Sequence, residues 1–113
     1  MPRHPTLTDD GRAVVLDLHG ARVDEAESMI RSAARLAAGR GRSTLRVVHG
    51  ASTSDALDRN RTIKHALYVL LDGGQLRSWV SSIVRGEGYT LLGLAAGSTR
   101  DPRPLQLRDV RPA

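Results

Sequence analysis

Asp17 and His19 stand two residues apart at the end of a stretch, Ala13–Leu18, whose composition reads as a short buried β-strand. Side chains alternate along a strand, so Leu16 and Leu18 point one way and Asp17 and His19 the other. A carboxylate in a strand is costly unless it is paired. An imidazole has a reference pKa of about 6.5, so it takes or gives a proton near neutrality, and a neighbouring carboxylate orients it. The same pair serves equally well to tie a strand end to a loop. A second strand, Thr44–Val48, also ends in His-Gly, at His49-Gly50. Parallel neighbours share their C-terminal edge, where α/β proteins bind ligands. Asp17, His19 and His49 are therefore expected around one crevice.

The residues that follow point to an anion. Gly50 and the small run Ala51-Ser52-Thr53-Ser54 offer backbone N–H groups and hydroxyls. Arg59, Arg61 and Lys64 crowd the start of a helix capped by Thr62. Cations are misplaced at a helix N-terminus, which carries positive partial charge, unless a phosphate sits among them. The candidate catalytic residues are Asp17, His19 and His49. The candidate phosphate-binding residues are Gly50, Ser52, Thr53, Arg59, Arg61 and Lys64, and no residue is assigned to a metal.

These residues suit acid–base phosphoryl transfer. Two-metal hydrolysis needs several carboxylates, and this edge offers Asp17, with Asp24 and Glu25 at a helix start nearby. RNA supplies its own 2′-hydroxyl nucleophile, so the expected reaction leaves a 2′,3′-cyclic phosphate and requires no cofactor, magnesium being the alternative. Two readings of other classes stand beside it. One is a module that grips phosphates and cuts nothing. The other takes Asp17, His19 and His49 as a two-histidine, one-carboxylate iron site.

The positioning elements follow from periodicity. Ala26, Met29, Ile30, Ala33 and Ala37 recur on one face of an expected helix, Asp24–Ala38, with Asp24 as cap, Glu27 three residues on, and Gly39 at the exit. Thr62 opens a second helix whose apolar face is Ile63, Ala66, Leu67, Leu70 and Leu71, ended by Gly73-Gly74. Two further strands, Trp79–Val84 and Thr90–Leu94, are joined by a turn at Arg85-Gly86-Glu87-Gly88. The order β-α-β-α-β-β makes the first two strands parallel and gives a two-layer α/β fold with a mixed sheet. Residues 1–12 read as a flexible arm, 13–97 as the domain, and 98–113 as a tail.

Composition bounds the partners. The chain has 113 residues, 17 Lys+Arg against 12 Asp+Glu, a net charge of +5 and no Cys. Disulfide scaffolds are excluded, and no apolar run approaches the roughly 20 residues that span a bilayer. Without an apolar leader segment the expected address is the cytoplasm, with no membrane partner. Lys64 is the only lysine, and arginine's planar fork suits phosphate, though an Arg-rich background accounts for Arg40, Arg42 and Arg46 equally well. The aromatic residues are Tyr68, Trp79 and Tyr89, too few for base stacking to be the main binding mode.

Val14-Val15-Leu16-Asp17-Leu18-His19-Gly20, followed by Asp24-Glu25-Ala26, resembles the opening signature of the Smr (small MutS-related) domain, and Thr44-Leu45-Arg46-Val47-Val48-His49-Gly50 resembles its second motif. The likeness covers about residues 13–96. It implies a fold similar to the C-terminal domain of bacterial translation initiation factor three, and nucleic-acid binding with endonuclease activity on RNA or nicking of DNA. Carried over, the Asp-x-His residues tied to cleavage are Asp17 and His19. The second motif falls on His49, Gly50, Ala51 and Ser52, with Ser52 where the family commonly has a second Gly. Protein partners are not implied.

Overall fold

The computed structural model describes residues 4–50, 62–95 and 100–112. The chain runs β1 (Thr6–Asp9), β2 (Ala13–Asp17), α1 (Val23–Gly39), β3 (Thr44–Val48), α2 (Ile63–Asp72), β4 (Val80–Arg85), β5 (Tyr89–Leu94) and α3 (Leu107–Val110). The strands form one mixed sheet in the order β1-β2-β3-β5-β4. Only β2 and β3 are parallel, as the helical connection between them requires, and the other pairs are antiparallel.

One face of the sheet is buried. Val14, Leu16 and Leu18, Leu45 and Val47, and Leu92 and Leu94 alternate with half-buried or exposed residues, and they form one core with α1 and α2. α1 contributes Ala26, Met29, Ile30, Ala33, Ala34 and Ala37, all buried. α2 contributes Ala66, Leu67 and Leu70. Thr62 caps α2 as expected, its Oγ1 accepting the His65 N–H at 3.0 Å. α1 starts earlier than expected: the Arg22 N–H donates to Glu25 Oε1 at 3.1 Å, so Glu25 rather than Glu27 closes the first turn. Glu27 instead accepts from Arg31 at 2.8 Å.

Both segments flanking the expected domain contribute to the fold. Thr6–Asp9, within the segment read as an arm, is an edge strand paired with β2. Leu105 and Val110, within the segment read as a tail, are buried in the core. The link between them is Arg42, which is fully buried. Its Nε donates to Asp9 Oδ1 at 2.8 Å, its Nη1 to the carbonyls of Arg40 and Asp101, and its Nη2 to the Arg103 carbonyl at 2.9 Å. Asp9 Oδ2 accepts the Leu105 N–H at 2.7 Å. Burial pushes the Asp9 carboxyl up, but the hydrogen bonds from Arg42, Leu105 and Gly11 outweigh it and hold the group below its ordinary value. Arg42 is thus a structural clasp, not part of a compositional background. Local pattern does not reveal it, because Asp9, Asp101 and Arg103 lie far away in sequence.

Among the described residues no helix is long and apolar enough to cross a membrane.

Candidate functional site

The parallel register decides what shares the C-terminal edge of β2 and β3. Asp17 stands opposite Val48, so the strands run one residue out of phase with their His-Gly endings. In β2 the buried residues are Val14, Leu16 and Leu18, which puts Asp17 and His19 on the open face. In β3 they are Leu45, Val47 and then His49, which puts that imidazole on the helix side. A shift of one residue changes the face, because the side-chain period is two. The two histidines therefore lie on opposite sides of the sheet edge rather than in one open crevice.

His19 has the geometry of a proton carrier. Its Nδ1 donates to Asp17 Oδ1 at 2.6 Å, and the same oxygen accepts its backbone N–H at 3.0 Å. Both side chains are about one-third exposed, at 35% and 36%. The carboxylate fixes the ring and the tautomer and leaves Nε2 free to exchange protons. That nitrogen faces Gly50, where a Cβ would sit 3.4 Å from it. Gly50 has φ +80°, a conformation that also favours glycine. A glycine here thus keeps a side chain of its own away from His19 Nε2.

His49 is held differently. It is 9% exposed. Its Nδ1 lies 2.8 Å from the Gly50 carbonyl and its Nε2 3.0 Å from Thr90 Oγ1. A carbonyl only accepts, so Nδ1 donates, and Nε2 of the neutral ring accepts the Thr90 hydroxyl hydrogen. Burial pushes the His49 pKa down. The Gly50 carbonyl opposes this in part, and the nearby charges of Lys64 and His19 add to it. Both nitrogens are thus engaged, the charged form is disfavoured, and the ring is tied to the Gly50 carbonyl. Thr90, its partner, was not singled out from sequence. The signal for it is a threonine on the buried face of a strand that continues with Leu92 and Leu94.

The phosphate-binding candidates divide. The N–H groups of His49 and Gly50 both donate to the Gly88 carbonyl, at 3.1 and 2.9 Å, so the β4–β5 turn anchors this corner and the Gly50 N–H is not available to an anion. Lys64 sits at the start of α2 with its ammonium 5.8 Å from the Tyr68 ring centroid, close enough to His49 to depress its pKa. Ser52, Thr53, Arg59 and Arg61 lie outside the described residues. Among the described residues no three His, Cys, Asp or Glu side chains group to hold a metal. A groove between α2 and β4, lined by Leu71, Asp72, Leu76, Val80 and Ile83, contains none of the candidate residues.

Compared with protein families, residues 16–93 match a family model described as Smr domain. No curated protein and no solved structure matches the chain.

Proposed function

The chain belongs to the Smr domain family, which is associated with nucleic-acid binding and nuclease activity, and on that premise we propose that it is an endonuclease cleaving RNA by phosphoryl transfer to the 2′-hydroxyl. The observation that carries this reading is the 2.6 Å contact of His19 Nδ1 with Asp17, which leaves Nε2 facing Gly50. His19 Nε2 takes the 2′-hydroxyl proton as that oxygen attacks phosphorus. The bond from phosphorus to the 5′-oxygen breaks, and the leaving oxygen takes a proton from solvent. The products are a 2′,3′-cyclic phosphate and a 5′-hydroxyl. Asp17 stabilises the imidazolium that forms. Lys64 supplies positive charge for the phosphorane-like transition state, joined by Arg59 and Arg61 as further phosphate contacts and by Ser52 and Thr53 as hydroxyl donors.

The test is cleavage of labelled structured RNA in excess EDTA by the wild type, Asp17→Asn and His19→Ala. Cyclic-phosphate product is expected from the wild type, with a loss of about 10²–10⁴-fold in both variants. Cutting that vanishes in EDTA and returns with magnesium overturns the metal-free chemistry.

One observation favours a second reading. His49 has no nitrogen to spare, so a single free imidazole serves the edge, and a module that binds structured RNA or branched DNA without cutting fits the same surface. A salt-sensitive gel shift with no product, in either EDTA or magnesium, would establish it.

A further inference from the structure

The open face of the sheet carries a second feature beside the Asp17–His19 pair. Its cross-strand rows run Asp17, Val48, Tyr89 and, one step down, Val15, Arg46, Leu91, Val84. Arg46 is the exposed cation of this second row, which Thr8 of β1 extends beside Val15, and among the described residues no carboxylate pairs with it. Its guanidinium carbon lies 4.4 Å from the centroid of the Tyr89 ring. The ring in turn lies against Gly86, where even a Cβ would approach it to 2.5 Å. The tyrosine is thus backed by main chain and carries the guanidinium on its face. Strands lie about 4.8 Å apart, so Tyr89 is about 10 Å from Asp17 across the same face.

We propose that Arg46, steadied by Tyr89, is a stacking subsite for an unpaired base of the RNA strand whose phosphodiester lies at His19. The inference rests on the reading of that edge as a phosphodiester site and adds its substrate class: single-stranded rather than duplex RNA. A guanidinium plane stacks on a nucleobase, and arginine does this where lysine does not. Arg46 is exposed, so a base reaches the guanidinium from solvent. The distance to Asp17 is within reach of a nucleotide close to the scissile bond. A paired base in a duplex presents no such free face. One platform of this kind accords with a chain poor in aromatic residues.

The test uses the full chain and a single-stranded oligoribonucleotide. It carries a 2′-deoxy residue at one linkage, so that it cannot be cut there, and 2-aminopurine on the neighbouring nucleotide. Binding to the wild type is expected to quench the 2-aminopurine. Arg46→Ala and Arg46→Lys each lose the quenching and bind roughly tenfold more weakly, the scale of one lost base stack. An abasic nucleotide at that position brings the wild type to the level of the variants. Arg46→Lys that quenches and binds like the wild type reduces the subsite to charge and overturns the proposal, as does Arg46→Ala that binds unchanged. Because the readout is binding, a protein that quenches through Arg46 but cuts no RNA overturns only the catalytic reading. A wild type that does not bind the oligonucleotide at low salt overturns both.

Discussion

His19 and His49 end two similar strands, yet their rings are held differently. His19 keeps one nitrogen open beside Gly50, whereas His49 gives both nitrogens to the Gly50 carbonyl and the Thr90 hydroxyl. The consequence for stability has a definite sign. The His49 pKa is depressed below 6.5 in the folded state. At higher pH the ring is neutral in both folded and unfolded chains, and its contribution is fully present. As pH falls below about 6.5, the unfolded chain takes up a proton that the folded ring resists, and stability drops until the folded pKa is passed. The expected outcome is a urea midpoint that falls between about pH 7 and pH 5 in the wild type, with a slope of at most about 1.4 kcal/mol per pH unit from this group. His49→Gln flattens that decline while lowering stability at neutral pH. Asp9 acts in a separate window, because its depressed pKa removes stability only as pH falls below 3.8.

At the scale of elements, the clasp at Arg42 is what incorporates β1 and the C-terminal segment. The guanidinium and the Asp9 carboxylate have no exposed side-chain surface. Removing either partner leaves a buried charge unpaired, which costs about 3–5 kcal/mol. Urea denaturation of Arg42→Ala and of Asp9→Ala is expected to show that loss in each, and much less than the sum in the double variant, since the second change removes the orphaned charge. A loss below about 1 kcal/mol in the single variants would mean that water reaches the site and replaces the clasp. The other pairs, Arg31–Glu27 at 2.8 Å and Arg103–Asp101 at 2.7 Å, join partly or largely exposed side chains and contribute little.

For the whole molecule, the net charge of +5 matters through its distribution. Arg42 is internal, and Arg31, Arg85 and Arg103 face carboxylates. Of the remaining described cations, Lys64, at the start of α2, and Arg46, on the open face, are those proposed to meet phosphates or bases at the His19 edge. Each cation that neutralises a phosphate releases a counterion and adds about 0.7 to the slope of log affinity against log salt for a single strand. Titrating RNA binding across salt concentrations should show that Lys64→Ala lowers the slope by about that amount, whereas Arg31→Ala leaves it unchanged. Equal slopes in all three proteins would remove Lys64 from the phosphate-binding surface.

Local periodicity sufficed for α1, α2, the two parallel strands and the β4–β5 hairpin, because each buries a face whose spacing is written in neighbouring residues, but not for α3, which lies in the segment read as a tail. It sufficed also for the Asp17–His19 pair, since alternation along one strand puts both side chains on one side. Pairing register was not legible at that level. The His-Gly endings look equivalent, yet a one-residue offset between β2 and β3 turns His49 inward to Thr90 and leaves Gly50 beside His19. The Arg42 clasp and the Arg46–Tyr89 stack were hidden for the same reason: their partners come from other strands and from the far end of the chain. Which side chains exist on each face is a property of the strand itself. Which of them meet is decided only when the sheet is assembled, because a carboxylate, a ring or an open space at one residue is set by neighbours that the local sequence does not contain.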